Sequence, residues 1–353
     1  MNTARYLYIW DNDVDIPFFK LFPIHYKPDT VIYSLFNRDG PHSPSRDLLT
    51  GSSQEKQPIS KIFYSGDSER VGARVFYSGE SIMDEPHADV VIGFFPPNII
   101  HQPGSLYLRR DVLTGGTELV QTGQQPTLER RFIQLRLQEL DYITELFAQR
   151  LSSRALLTQE DIQKIQPYSD LNRQWLDTRN QEKTKFACFI VTNGTCKLRN
   201  KFFEMLNKSR SVDSLGRFMR NVPVDFILPD RVRDRQEYLR VIGQYKFMIT
   251  FENTCLPYYS TEKIYNAFAA GTVPIYWGDP HITEQYNPAA FIHVPTHPTF
   301  GDQLSAFICV IQRLEHLDTH PEEYAVIKSA VPCPGADQLD LNVQSAIRQI
   351  SEL

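Results

Sequence analysis

Residues 258–263, Tyr-Tyr-Ser-Thr-Glu-Lys, place two phenols, two hydroxyls, a carboxylate and an amine in six consecutive positions. They follow "YKFMITFEN" and lead into a run of small and apolar residues, "IYNAFAAG". The first run reads as a strand ending at Glu252 and Asn253, which puts both polar groups at the carboxyl edge where open parallel sheets bind ligands. Ser260 or Thr261 suits a helix N-cap. Ile264, Ala267, Phe268 and Gly271 follow the spacing of one buried helix face, with Gly271 expected to close the helix.

A helix start presents unpaired backbone N–H groups and the positive end of the helix dipole, so it favours a phosphate. Lys263 adds a full positive charge there, whereas Glu262 would repel a phosphate. A carboxylate at that point makes sense if it accepts hydrogen bonds from hydroxyls beside the phosphate, as on a ribose or a sugar. With Asn253 and the tyrosines in the same loop, the stretch points to a nucleotide-sugar site. "FIVTNGTCKLRNKFF" repeats the strand–turn–helix pattern one unit earlier, with Arg199 near the helix start as a second diphosphate cation.

Other groups carry less chemistry. Asp11-Asn-Asp13 resembles a metal-binding Asp-x-Asp but sits far in sequence from the donor loop, and no metal is demanded. His293 and His297 have ligand-like spacing, but Pro295 and Pro298 argue against a helix that would align them. The five cysteines share no Cys-x-x-Cys spacing, which predicts neither a zinc site nor a disulfide framework and fits a reducing compartment. The sequons at Asn193 and Asn207 read as incidental. A formal net charge of -5 argues against a general nucleic-acid binder. No Gly-x-Gly-x-x-Gly follows a strand, against a dinucleotide-dependent oxidoreductase.

At 353 residues the chain suits two domains. Short runs such as "TVIYSLF", "KIFYSG", "RVFYSGE" and "DVVIGF" predict a sheet covered on both faces in the first half. Residues 128–151 carry a helical period, and a shorter helix is expected to end at Pro167. The second half alternates strand and helix, with "FACFIVTN", "VDFILP", "YKFMITFEN" and "TVPIYWG" as strands, which implies a parallel α/β sheet. The expected division is residues 1–172, residues 173–328 and a helical segment 329–353. The first residues lack the basic head and apolar run of a signal peptide, and no stretch reaches the roughly 20 apolar residues of a membrane span. A cytoplasmic location is expected, with peripheral membrane association left open.

"FENTCLPYYSTEKIYNAFAAGTVPIYWG" resembles the donor-binding motif of the α-1,3/α-1,4-fucosyltransferases, glycosyltransferase family 10, in its bacterial-type branch. Weaker likeness extends over residues 186–207, 74–94 and 105–111. The resemblance implies an α/β GT-B fold, two Rossmann-like domains facing across a cleft. GDP-fucose would bind the C-terminal one and an N-acetyllactosamine-like oligosaccharide or glycoconjugate the N-terminal one. It implies transfer of L-fucose from GDP-β-L-fucose, with inversion, to a hydroxyl such as O3 of GlcNAc. Position by position, Arg199 and Lys263 match the diphosphate cations, Tyr259 the donor-contacting tyrosine, and Glu262 the sugar- or ribose-contacting carboxylate; Asn253 belongs to the same donor motif. Glu80 in "GESIMDEP" matches the general base, with Glu85 as the second choice, in a loop one residue shorter than the family's and lacking its Ser-Pro. No cofactor is required, a divalent cation such as manganese being allowed as a stimulant. A GT-B transferase for another nucleotide sugar, or a non-catalytic binding homologue, stays open.

Overall fold

The computed structural model describes residues 20–22, 31–34, 74–77, 90–93, 106–110, 117–121 and 131–352, apart from 232 and 256. Two compact units result: residues 1–109, 118–165 and 342–353 form one, and residues 110–117 and 166–341 the other.

The first unit holds a parallel sheet of β1 (Val31–Ser34), β2 (Arg74–Tyr77), β3 (Val90–Gly93) and β6 (Arg131–Gln134), in the order β1-β2-β3-β6. Strands β4 (Leu106–Arg110) and β5 (Thr117–Gln121) form a separate two-stranded sheet. Helices α1 (Leu137–Leu146), α2 (Ala148–Ser153) and α3 (Gln159–Gln163) follow. The helix expected over residues 128–151 is therefore corrected at its start. Arg131–Gln134 pairs in parallel with Val90–Gly93, and this ladder overrides the helical period of the local sequence.

The long segment of the second unit opens with α4 (Pro167–Thr178), which corrects the expectation at Pro167. Proline there occupies the first helical turn, where its missing N–H costs nothing, and so opens a helix instead of ending one. The parallel sheet runs β11-β10-β9-β7-β8, with β7 (Lys185–Phe189), β8 (Val212–Ser214), β9 (Tyr245–Ile249), β10 (Val273–Tyr276) and β11 (Ile292–His293). "VDFILP" is not a strand. Val224 and Ile227 are 98% and 83% exposed, and Pro223 and Pro229 bracket the segment without N–H donors; β8 takes its place in the sheet. Among the described residues no helix is long and apolar enough to cross a membrane.

Alternation along the strands builds a core on each face of this sheet. Ala187, Phe189, Phe247 and Ile249 pack with Phe202, Phe203 and Leu206 of α5 (Lys197–Ser209) and Phe307 and Leu314 of α8 (Phe300–Thr319). Cys188 and Met248 point the other way, toward Tyr238, Val241 and Ile242 of α6 (Arg235–Ile242) and Ala267 of α7 (Glu262–Ala269). Each buried Phe, Leu or Ile contributes roughly 1.5–3 kcal/mol. Helices α9 (Pro321–Ser329) and α10 (Ala336–Ser351) complete the chain.

The order β11-β10-β9-β7-β8 contains a reversal. From β7 the chain steps outward to β8, then returns to the other side of β7 for β9, β10 and β11. The loops leaving β7 and β9 thus separate at their carboxyl ends, the crevice in which open α/β sheets bind ligands.

Candidate functional site

A cavity of about 360 Å³ opens at that reversal, lined by Ile190–Asn193, Arg199, Leu228, Pro229, Arg231, Tyr238, Met248, Asn253, Glu262, Lys263 and Asn266. Its volume falls in the range of small-molecule sites, about 300–1,000 Å³. Four of the residues singled out in the sequence, Arg199, Asn253, Glu262 and Lys263, meet in its wall. Glu80 and Glu85, like Asp11 and Asp13, lie outside the described residues.

Arg199 stands in the first turn of α5 and is only 1% exposed, an expensive position for a guanidinium. Nη1 donates to Asn253 Oδ1 at 2.6 Å and Nη2 donates to the Asn193 carbonyl. Its Nε is buried and has no hydrogen-bond partner among the described residues. Burial pulls the Arg199 pKa below its ordinary value, while Cys196, Glu252 and Tyr259 oppose that fall. A guanidinium held in the wall of a cavity can attract an anion there.

Lys263 and Glu262 are the first two residues of α7. Thr261 is the N-cap, but its hydroxyl does not cap the helix. That hydroxyl donates to Glu252 Oε2 at 2.7 Å, and the Thr261 N–H donates to Glu252 Oε1 at 2.8 Å. Lys263 Nζ donates to Glu252 Oε2 at 3.0 Å and to Thr261 Oγ1 at 2.9 Å. Glu252, fully buried behind the wall, thereby aims the lysine and the helix start together. Burial disfavours the Lys263 ammonium, but Glu252 and Glu262 more than compensate and hold its pKa above the ordinary value. Burial pushes the Glu262 carboxyl up, yet Lys263, Arg231 and its own backbone N–H together bring it below the usual range. Glu262 is therefore ionised at neutral pH and acts as an acceptor only.

Two glycines permit this packing. Gly271, at φ +63°, ends α7 in a Schellman motif, with Gly271 N–H on Phe268 O at 2.8 Å and Thr272 N–H on Ala267 O at 2.9 Å. At Gly278, φ +154°, an added Cβ would lie 2.6 Å from Glu252 Cγ.

Tyr259 is 2% exposed and does not line the cavity; it sits close enough to Arg199 to influence its charge. Sequence reasoning missed Arg231, Tyr238 and Asn266, whose contribution depends on loops and helices distant in the chain. Asn266 lies one turn beyond Glu262 on α7, and this i, i+4 spacing was the one local signal available. Its Oδ1 accepts from Arg235 Nη1 at 3.2 Å. The lining thus carries three cations, Arg199, Arg231 and Lys263, against the single carboxylate of Glu262.

Residues 180–326 match the family described as Glycosyltransferase family 10 (fucosyltransferase) C-term. Over 148 residues the chain is 34% identical to "Alpha-(1,3)-fucosyltransferase FucT" of Helicobacter pylori, covering 42% of this chain and 28% of that protein. Over 160 residues it is 29% identical to "GDP-fucose protein O-fucosyltransferase 3" of Homo sapiens, covering 42% of this chain and 31% of that protein. Both matches span less than a third of the relatives' own length. A crystal structure of an α1,3-fucosyltransferase with GDP-fucose superposes with a TM-score of 0.56 at 19% identity, over 98% of this chain and 89% of that one. A crystal structure of an α1,3-fucosyltransferase with GDP gives 0.53, also at 19% identity, over 100% and 93%. The likeness in fold confirms the α/β GT-B class. The matched residues 180–326 contain the whole cavity.

Proposed function

We propose that the chain is an inverting glycosyltransferase that moves L-fucose from GDP-β-L-fucose to a glycan hydroxyl, O3 of a GlcNAc unit in an N-acetyllactosamine-like acceptor. The observation that carries this reading is the convergence of buried Arg199, Lys263 and the α7 N-terminus on one cavity, with ionised Glu262 beside them. The family of residues 180–326 and the printed names of the relatives support it.

In this reading the diphosphate rests on the start of α7 between Arg199 and Lys263. As the bond from fucose to the diphosphate breaks, negative charge grows on the departing oxygen. Fixed cations there are worth most, because they need not reorganise as the charge develops. Glu262 accepts hydrogen bonds from donor hydroxyls. Glu80 takes the proton of the acceptor hydroxyl, a contribution of roughly 10²–10⁴-fold, with Glu85 as the alternative base. Attack opposite the leaving group turns a β-linked donor into an α-linked product. The protein's own cations carry the diphosphate charge, so a cofactor is not required and manganese would at most stimulate. A cytoplasmic location and the absence of a nucleic-acid partner belong to the same proposal.

A panel of GDP- and UDP-sugars, assayed against glycan acceptors with linkage determined by NMR, tests the proposal. It expects GDP-fucose to be consumed and an α-1,3-fucosylated product to appear. Turnover of another sugar nucleotide alone, or of none, would reject it.

A further inference from the structure

Tyr258 adopts φ +63°, a left-handed conformation that is a real outlier for a bulky side chain. Such a residue persists only where its surroundings over-determine it. Here its N–H donates to Asp279 Oδ1 at 2.6 Å, and its ring stacks on His281 with centroids 4.4 Å apart and planes 9° from parallel. The same Asp279 oxygen accepts the His281 N–H at 2.8 Å, which fixes the residue that carries the stacking ring. Asp279 is itself fully buried, and its N–H donates to the Tyr276 hydroxyl at the end of β10 at 3.0 Å. One carboxylate, anchored to the sheet, therefore holds both halves of a Tyr258–His281 clasp.

The clasp sits directly before the binding machinery. The next residue, Tyr259, is buried; Ser260 donates to Gln285 Oε1 at 3.2 Å; Thr261 is held by Glu252. The loop from Asn253 to α7 is thus pinned at 258, 260 and 261, and Asp279 supplies the pin that requires strain.

We infer that Asp279 is a positioning residue for nucleotide binding, acting through the left-handed Tyr258 to hold the loop that leads into α7 and so to aim the helix start at the diphosphate. This rests on the donor reading proposed above. A loop released from that strain leaves the binding conformation, and affinity falls by about tenfold or more. Glycine takes positive φ without penalty, which gives the inference a rescue that simple loss of stability would not show.

GDP titration by calorimetry tests it on the wild type, Asp279→Ala, His281→Ala and the double variant Asp279→Ala with Tyr258→Gly. The expected results are about tenfold weaker GDP binding in Asp279→Ala, about threefold in His281→Ala, and recovery of part of the loss in the double variant. Unchanged GDP affinity in Asp279→Ala would overturn the inference and leave the proposed function standing. Should Asp279→Ala fail to fold, unchanged affinity in His281→Ala, a partly exposed site, would do the same. Absence of GDP binding in the wild type would overturn the donor reading and this inference with it.

Discussion

Glu252 and Lys263 meet at 3.0 Å, the carboxylate wholly inside the second unit and the lysine at the wall of the cavity. The pair joins the loop that leaves β9 to the start of α7, and Thr261 ties the same carboxylate to the helix N-cap. One buried group therefore governs both the direction of the cation and the placement of the helix terminus.

Glu252→Gln keeps an acceptor for the Thr261 N–H but leaves Lys263 without its charge partner. Removing one member of a buried pair typically costs about 3–5 kcal/mol, so a loss near the lower figure is expected in urea unfolding. GDP affinity falls in parallel, because the lysine is no longer aimed.

Lys263 gives this stability a defined pH dependence. Its folded pKa lies above the ordinary 10.5, so below pH 10.5 both folded and unfolded chains carry the proton and the contribution is complete. As pH rises toward the folded value, the unfolded chain has released its proton and the native chain has not, and the contribution is progressively lost. Unfolding free energies measured from about pH 9 to 12 should fall more steeply for the wild type than for Lys263→Met. Parallel curves would show that the lysine is not coupled to the fold in this way.

Arg199→Lys is not conservative at this position. The guanidinium serves Asn253 and Asn193 with two nitrogens of one rigid fork, an arrangement one ammonium cannot reproduce. If fucosyl transfer is the activity, kcat drops by roughly 10²–10³, the usual consequence of losing a fixed donor at a developing anion. Circular dichroism should show the fold retained.

Gly271→Ala probes the helix end. Its φ of +63° disfavours alanine, and the new Cβ would stand 2.6 Å from the Thr178 carbonyl group on α4. Destabilisation beyond about 1 kcal/mol is expected, seen as a lower urea midpoint at unchanged slope.

Much of the site could be read from the sequence because its central part is continuous in the chain. Asn253, Glu262 and Lys263 belong to one strand–loop–helix segment, and Arg199 occupies the matching place one unit earlier. Glu252 was visible only as the end of a strand; its bonds to Thr261 and Lys263 depend on how the loop folds back. Arg231 and Tyr238 reach the cavity from a loop and helix whose placement composition does not encode. Composition also misled at "VDFILP", where β-forming residues stand exposed between prolines, and at residues 131–134, where pairing with β3 outweighed a helical period. Asp279 gave no signal, because its partners Tyr258 and Tyr276 are joined to it by geometry alone.

The central claim is that the cavity holds a nucleoside diphosphate through Arg199 and Lys263. Calorimetric titration of GDP into the wild type, Arg199→Ala and Lys263→Ala tests this most directly. One-to-one binding to the wild type, weakened at least tenfold in each variant, is the predicted result. Equal affinity in all three proteins, or no binding to the wild type, would contradict it.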